Sequence, residues 1–99
     1  MELALTESAL DDLRCLQQFY ADEGVPDIGR RFVSDILVAV ERLIDHPDSG
    51  RKVPEFDQEQ IREIIFSPYR VVYLREPGMV SIIRVWREER ELVLPRGET

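Results

Sequence analysis

The sequence predicts an α+β domain in which a helical hairpin packs on one face of a small, mainly antiparallel sheet. Two observations carry this prediction. Residues 61–87 contain three runs rich in β-branched and aromatic residues, separated by turn-forming residues, which is typical of a strand meander. Residues 7–46 contain two stretches with apolar residues at helical spacing, joined by a short link. A short apolar run precedes them, so the predicted order is βααβββ.

The first segment predicts a strand followed by a helix. Leu3-Ala4-Leu5 is a short apolar run with the composition of a buried or edge strand. Thr6 and Ser8 are both candidate N-caps, and Asp11 follows Ser8 by three residues, as in a capping box. The helix then continues to Gly24 with one broad apolar stripe. That stripe consists of Ala9, Leu10, Leu13, Leu16, Phe19 and Tyr20.

A second amphipathic helix is predicted from about Ile28 to about Asp45, with Asp27 as its cap. His46-Pro47 ends it, because a residue before proline is biased away from the α conformation. Two such helices joined by a few residues pack antiparallel, as a hairpin. The apolar face consists of Phe32, Val33, Ile36, Leu37, Val40, Leu43 and Ile44.

Three strands are predicted after a loop that carries a basic tip, Arg51-Lys52. Ser67-Pro68 separates the first two strands, and Glu76-Pro77-Gly78-Met79 separates the last two in a sequence suited to a type II turn. Such short links predict an antiparallel meander. The strands are Ile61–Phe66, Tyr69–Arg75 and Val80–Arg87, and Leu92-Val93-Leu94 is a candidate terminal strand.

Length and composition predict one cytoplasmic domain spanning residues 1–99, with a short C-terminal tail. No apolar run reaches 18 residues, so we expect no membrane contact, and we see no N-terminal signal segment. The lone Cys15 has no Cys or His neighbour at metal-ligand spacing. We therefore expect neither metal nor cofactor.

The charge is unevenly distributed. The formal net charge is −7, and residues 1–60 carry −8 while residues 61–99 carry +1. Proteins that bind nucleic acid broadly are usually basic, because phosphate neutralisation supplies much of their affinity. The distribution disfavours that class of protein but permits a local basic patch in the strand region.

Catalytic motifs are weak in this chain. His46 is the only histidine, and a position at the end of a helix explains it adequately. Adjacent acidic pairs such as Asp11-Asp12 point in different directions on a helix, so solvated surface charge is the favoured interpretation. The glycines form no phosphate-binding motif, and no serine lies in a GxSxG context.

The arginines of the strand region allow two interpretations. Arg70, Arg84 and Arg87 alternate with apolar neighbours, which places them away from the core. They could be part of a solvated sheet face with ion pairs to Glu63 and Glu76. They could equally form a patch that contacts a nucleic acid or an acidic protein.

Taken together, the chain resembles the RelE/ParE superfamily of toxins from bacterial type II toxin–antitoxin systems. The resemblance runs from about Leu3 to about Leu94. It rests on the helix-one pattern Thr6-x-x-Ala9-x-x-Asp12-Leu13 ending in Phe19-Tyr20, on Leu43-Ile44-x-His46-Pro47, on Gly50-Arg51-x-x-Pro54-Glu55, on Ile61-Arg62-Glu63 and on Tyr69-Arg70-Val71-Val72-Tyr73.

Two branches of the superfamily imply different activities. RelE-like members are ribosome-dependent mRNA endonucleases, and this chain resembles them at Arg70 and Arg87. They also use strand lysines and a terminal tyrosine, where this chain has Ile61 and Glu63 and, at the end, Val93 or Leu94. Glu63 could serve as a base, but no lysine or tyrosine assists it.

The Gly-Arg-x-x-Pro-Glu and Ile-Arg-Glu runs resemble the ParE-like branch more closely. This resemblance implies a non-catalytic, cytoplasmic toxin of the plasmid-stabilisation type that binds DNA gyrase. It also implies a ParD-like antitoxin in a hetero-oligomer, through which alone operator DNA is contacted. A toxin fold that has lost its toxicity is a third possibility, which the acidity of the chain keeps open.

Under the ParE-like interpretation, we expect separate surfaces for the target and for the antitoxin. Trp86 stands where the family often has His, and tryptophan is a good anchor for a protein partner. Candidates for target binding are Arg51, Lys52, Arg70, Arg84, Trp86, Arg87 and Arg90. Candidates for antitoxin binding are Leu10, Leu16, Phe19 and Tyr20, as apolar surface in excess of a small core.

Overall fold

The computed structural model describes residues 1–88 and confirms the predicted α+β class. Two helices pack on one face of a five-stranded sheet. The predicted terminal strand Leu92–Leu94 lies outside the described residues. In chain order the elements are β1 (Glu2–Leu5), α1 (Glu7–Asp22), α2 (Pro26–Glu41), β2 (Arg51–Lys52), β3 (Ile61–Phe66), β4 (Tyr69–Glu76) and β5 (Met79–Arg87).

The sheet has the strand order β1-β5-β4-β3-β2. Strands β2 to β5 pair antiparallel, and β1 lies parallel to β5 at the edge. The meander was therefore predicted correctly, but β2 was not. Arg51 pairs with Glu63 and Lys52 with Arg62. Two residues are too few for a periodic pattern, so this strand looks like a loop in the sequence.

Thr6 fastens the start of α1 to the sheet. Its Oγ1 accepts a hydrogen bond from Ala9 N at 3.2 Å, as an N-cap, and donates to Ile82 O at 3.0 Å. The backbone N–H of Thr6 also donates to Ile82 O, at 3.0 Å. The helix therefore begins where β1 leaves β5, which fixes its position over the sheet.

The second helix begins and ends differently from the prediction. Val25 is its N-cap and no side chain caps it, so the cap predicted at Asp27 is wrong. Pro26 occupies the first turn, where its fixed φ favours helix and its missing N–H costs nothing. The α-helix ends at Glu41 and continues as a 3-10 turn over Arg42–Ile44.

The core lies between the helices and the near face of the sheet. Burying one of its aliphatic side chains completely stabilises the fold by about 1.5–3 kcal/mol. The helices contribute Ala9, Leu13, Leu16, Ile36, Val40 and Leu43, and the strands contribute Tyr69, Val71, Tyr73, Val80, Ile82 and Val85.

Tyr73 joins the loop after α2 to the sheet. Its fully buried hydroxyl donates to Pro47 O at 2.8 Å and accepts from Gly50 N at 2.9 Å. Burial raises the pKa of this phenol. A Cβ on Gly50 would lie 2.6 Å from that hydroxyl and 2.6 Å from Glu63 O, so only glycine fits there.

We predict that Tyr73→Phe lowers the free energy of unfolding by about 1–3 kcal/mol, because it leaves buried backbone groups of Pro47 and Gly50 without partners. Urea denaturation followed by circular dichroism measures the change. Tyr20→Phe is the control, since the Tyr20 hydroxyl has a long, 3.5 Å contact with Tyr69 Oη. Equal losses in the two variants would contradict this role of Tyr73.

Candidate functional site

Trp86 and Arg84 lie at the end of β5, where the strand passes beyond its neighbour β1. Cross-strand pairing places Trp86 beside Arg70 and places Arg87 beside Tyr69. Because Tyr69 packs against Phe32 of α2, Arg87 lies on the helix side and Trp86 on the far side of the sheet. The Arg84 guanidinium lies 5.1 Å from the centre of the Trp86 ring, within cation–π range.

Asp12 of α1 occupies the edge of β5 that β1 leaves open. Its Oδ2 accepts from Val85 N at 2.8 Å and from Arg84 Nε at 2.8 Å, and its Oδ1 accepts from Arg84 Nη2 at 3.0 Å. The hydrogen bond to Asp12 raises the pKa of Arg84. The interpretation of Asp11-Asp12 as solvated charge holds for Asp11 but is wrong for Asp12. The position of Asp12 three residues after Ala9, beside the apolar stripe, was the sequence signal that it faces the sheet.

A groove of about 280 Å³ separates α1 from the end of β5. The Arg87 guanidinium lies 5.7 Å from the centre of the Phe19 ring and 5.6 Å from that of Tyr69. Arg87, a candidate for target binding, therefore lies beside Phe19, a candidate for antitoxin binding. The groove is lined by Asp12, Cys15, Leu16, Phe19, Tyr69, Arg84, Val85, Trp86 and Arg87.

The four apolar candidates on α1 differ in exposure. Leu10 is 38% exposed and Phe19 is 48% exposed, as a contact surface requires. Tyr20 is half-buried and stacks on Phe32, with ring centres 5.4 Å apart. Leu16 is 5% exposed and belongs to the core, so the prediction that it supplies exposed apolar surface is wrong. Its position on the central line of the stripe, facing the sheet, is the physical reason.

Arg70 is buried in a charged network. Its Nε donates to Glu63 Oε1 at 2.7 Å, and its Nη1 and Nη2 donate to Glu55 at 3.0 and 2.9 Å. Glu63 Oε2 accepts from Arg51 Nε at 2.6 Å. The hydrogen bonds with Glu55, and then those with Glu63, raise the pKa of Arg70 against the opposing effect of burial.

This network corrects the prediction that Arg70 lies on an exposed face. Arg70 is 5% exposed and Glu63 1% exposed. Of the alternative interpretation, a solvated face with ion pairs to Glu63 and Glu76, the pair with Glu63 is confirmed. The face is not solvated at Arg70, and the second carboxylate comes from Glu55 rather than Glu76. A loop residue 15 positions away in sequence cannot be assigned to a strand arginine from spacing alone.

The remaining basic candidates lie at the opposite edge of the sheet or beyond the described residues. Arg51 and Lys52 form β2, and their side chains are 61% and 45% exposed. Lys52 Nζ lies 3.6 Å from Asp57 and 3.9 Å from Glu59, so acidic neighbours largely offset its charge. Arg90 is outside the residues that the structure describes.

Comparison with known families decides the class of protein. A family model described as the ParE toxin of the type II toxin–antitoxin system parDE matches residues 3–92. The chain belongs to the ParE toxin family. A solved structure described as a chromosomal ParDE TA system from P. aeruginosa shares the fold, with a TM-score of 0.74 and 22% identity over 88% of this chain and 95% of that one. No curated protein matches the chain.

The motifs through which the sequence resembles ParE toxins meet in one place. Gly50 packs against Tyr73, Arg51 pairs with Glu63, and Glu55 pairs with Arg70. Arg62 Nη1 also donates to Gly50 O at 3.0 Å. Within this ParE chain the motif residues thus fix the loop before β3 to the sheet, which is a structural role.

Two kinds of feature are absent from residues 1–88. No group of three or more His, Cys, Asp and Glu side chains is arranged to hold a metal ion. No helix in this part of the chain is long and apolar enough to cross a membrane.

The burial of Tyr69 raises the pKa of its phenol to about 12, so it carries no charge at neutral pH.

We predict that Glu63→Gln lowers the free energy of unfolding by about 3–5 kcal/mol, because it leaves the buried Arg70 guanidinium with one carboxylate fewer. Glu59→Gln is the matched control, since Glu59 is 79% exposed and makes only surface ion pairs, which contribute about 0–1 kcal/mol. Chemical denaturation measures both variants. A loss below about 1 kcal/mol for Glu63→Gln would contradict a structural role of the network.

Proposed function

We propose that this ParE family member is a cytoplasmic, non-catalytic toxin that inhibits DNA gyrase by direct binding, without metal or cofactor. A ParD-like antitoxin neutralises it in a hetero-oligomer and alone contacts operator DNA. Family membership supports the class of activity. The observation that supports the target surface is Trp86, held beneath the Arg84 guanidinium on the face of the sheet away from the helices.

The target surface is centred on Arg84 and Trp86. Tryptophan and arginine are the residues that most often dominate binding energy at protein interfaces. Arg84 is already oriented by Asp12, so less side-chain entropy is lost when a partner binds. Arg51 and Lys52 extend the proposed surface at the far edge of the sheet, and Arg90 extends it along the chain. Arg70 contributes from below, as the buried neighbour of Trp86.

The antitoxin surface is centred on Phe19, which with Leu10 is an exposed apolar residue of α1. Leu10 lies nine residues earlier, on the opposite flank of the helix, so it marks the far limit of this surface. An amphipathic segment that crosses α1 and folds on binding would bury both, in the manner of a helix in a groove or an added strand. Arg87 lies over Phe19 and would face an acidic group of that segment. The groove beside α1 also reaches Trp86, so an occupant seated at Phe19 would obstruct the target surface.

RNA cleavage is the competing function, and the charged network argues against it. A general base needs free lone pairs within reach of the 2′-hydroxyl. Both carboxylate oxygens of Glu63 accept from guanidinium groups, and the side chain is buried. Arg70 is similarly enclosed, so neither group is exposed to a phosphate.

We predict that the purified chain inhibits gyrase supercoiling and that Trp86→Ala weakens this inhibition at least tenfold. Arg84→Ala weakens the inhibition less, because the Trp86 side chain remains to anchor the partner. Arg14→Ala is the matched control, since among residues 1–88 Arg14 pairs only with exposed Asp11 on α1. Circular dichroism establishes that each variant folds.

Three results would overturn this proposal. The first is full inhibition of supercoiling by Trp86→Ala. The second is cleavage of ribosome-bound mRNA by the wild-type chain that is lost in Arg87→Ala. The third is unaffected growth during strong expression without antitoxin, which would indicate a toxin fold without toxicity.

We predict that Phe19→Ala weakens binding of the ParD-like antitoxin at least tenfold and leaves gyrase inhibition unchanged. The antitoxin is the product of the neighbouring reading frame, and isothermal titration calorimetry measures its affinity. Phe56→Ala is the control, because Phe56 is 41% exposed but lies in the loop before β3. Equal effects of the two substitutions would place the antitoxin elsewhere.

A further inference from the structure

Within residues 1–88, the edge of β3 has no strand partner over half its length. Strand β2 pairs only with Arg62 and Glu63, so no described strand borders Ile64–Phe66. Val53 N donates to Ile61 O, which shows that the backbone groups of Ile61 point outward. Alternation along the strand then turns the N–H and C=O of Ile65 outward as well. Ile65 is 41% exposed, and the open segment carries no charge that would repel another strand.

A groove runs along α2 beside this open edge. It comprises two cavities of about 390 and 350 Å³ that share Asp35 and Phe66. Apolar residues dominate its walls, and Ile28 and Val38 are 44% and 52% exposed. The groove residues of α2 and of the 3-10 turn after it recur at three- and four-residue intervals and form one face: Ile28, Arg31, Phe32, Asp35, Val38, Ala39 and Arg42.

The charged residues of this groove have no ionic partners in the part of the chain that the structure describes. Arg31, Asp35 and Arg42 form no ion pair within residues 1–88, although most other basic side chains there do, including the exposed Arg14 and Arg30. A groove that carries both signs of charge is complementary to itself. It does not select a uniformly acidic or basic partner.

We propose that the groove and the open edge of β3 form an interface with a second copy of this chain. A two-fold axis beside Ile65 would pair the β3 edges antiparallel and join two sheets. The strand edge at Ile65 borders the part of the groove lined by Asp35, Val38, Ala39 and Arg42, while the Ile65 side chain lies beside Arg70 on the other face of the sheet.

The same axis would run the two α2 helices antiparallel. Asp35 and Arg42 are equally far in sequence from the pair Val38-Ala39. If the axis passes beside that pair, Asp35 of one copy faces Arg42 of the other. Two ion pairs then flank an apolar centre. The proposed antitoxin surface and the centre of the proposed gyrase surface, Arg84 and Trp86, lie near β5, and only the extension at Arg51 and Lys52 lies next to β3. The dimer therefore goes beyond the proposed function and does not depend on it.

Sedimentation equilibrium of the purified full-length chain tests this interface without gyrase or antitoxin. The mass should rise with concentration from 11.6 kDa towards twice that value. Ile65→Lys should raise the dimer dissociation constant at least tenfold, since it places two like charges side by side across the axis. Ile44→Lys is the control, because Ile44 is 37% exposed and does not line the groove.

A charge exchange tests the alignment of the helices. Asp35→Arg and Arg42→Asp should each weaken the dimer at least fivefold, and the double variant should recover at least half of the wild-type affinity. Thermal unfolding at low concentration verifies that every variant folds.

Three outcomes would overturn the proposed dimer. One is a chain that stays monomeric at every concentration. If the antitoxin also protected the groove from hydrogen exchange, the groove would be an antitoxin site instead, and this result too would overturn the dimer. Another is a dimer that Ile65→Lys leaves intact. A third is a charge exchange that fails to recover affinity. Gyrase inhibition can fail or succeed independently of all three.

Discussion

The buried pair of Glu63 and Arg70 is the interaction on which the rest of this structure depends. Two ions removed from water are stable only when each has partners in good geometry. Here each of the two ions has a second partner of opposite charge. Arg51 completes Glu63 from β2, and Glu55 completes Arg70 from the loop that follows. The charge pair therefore decides where β2 and the loop lie. It also supports the underside of the sheet face on which Trp86 is displayed.

The β5 and β3 edges of the sheet show how backbone hydrogen bonding shapes the surface. Thr6 and Asp12 accept or donate along the edge of β5, from Ile82 to Val85, so the first turns of α1 replace a strand there. This arrangement holds Arg84 above Trp86 and opens the groove beside Phe19. The opposite edge, at β3, has no such cover among the described residues.

The elements were largely predictable, and their side-chain contacts were not. Periodicity and turn chemistry identified both helices and the meander, because those signals are local. Strand β2 was missed because its two residues pair with partners across a loop. Alternation placed Arg70 correctly on the face away from the helices, yet the burial of that face depends on Glu55, which no spacing rule connects to Arg70. Asp12 was misjudged for the same reason, since its partners are more than 70 residues away.

The enclosure of Arg70 has an evolutionary consequence. The nuclease branch that this chain resembles carries an arginine on the same strand, with lysines where this chain has Ile61 and Glu63. Exchanging the carboxylates around one guanidinium for cations would free it to meet a phosphate without moving the backbone. Divergence between the two branches then requires a few substitutions around a retained arginine. Those substitutions would have to arise together, because an intermediate with a lone buried charge folds poorly.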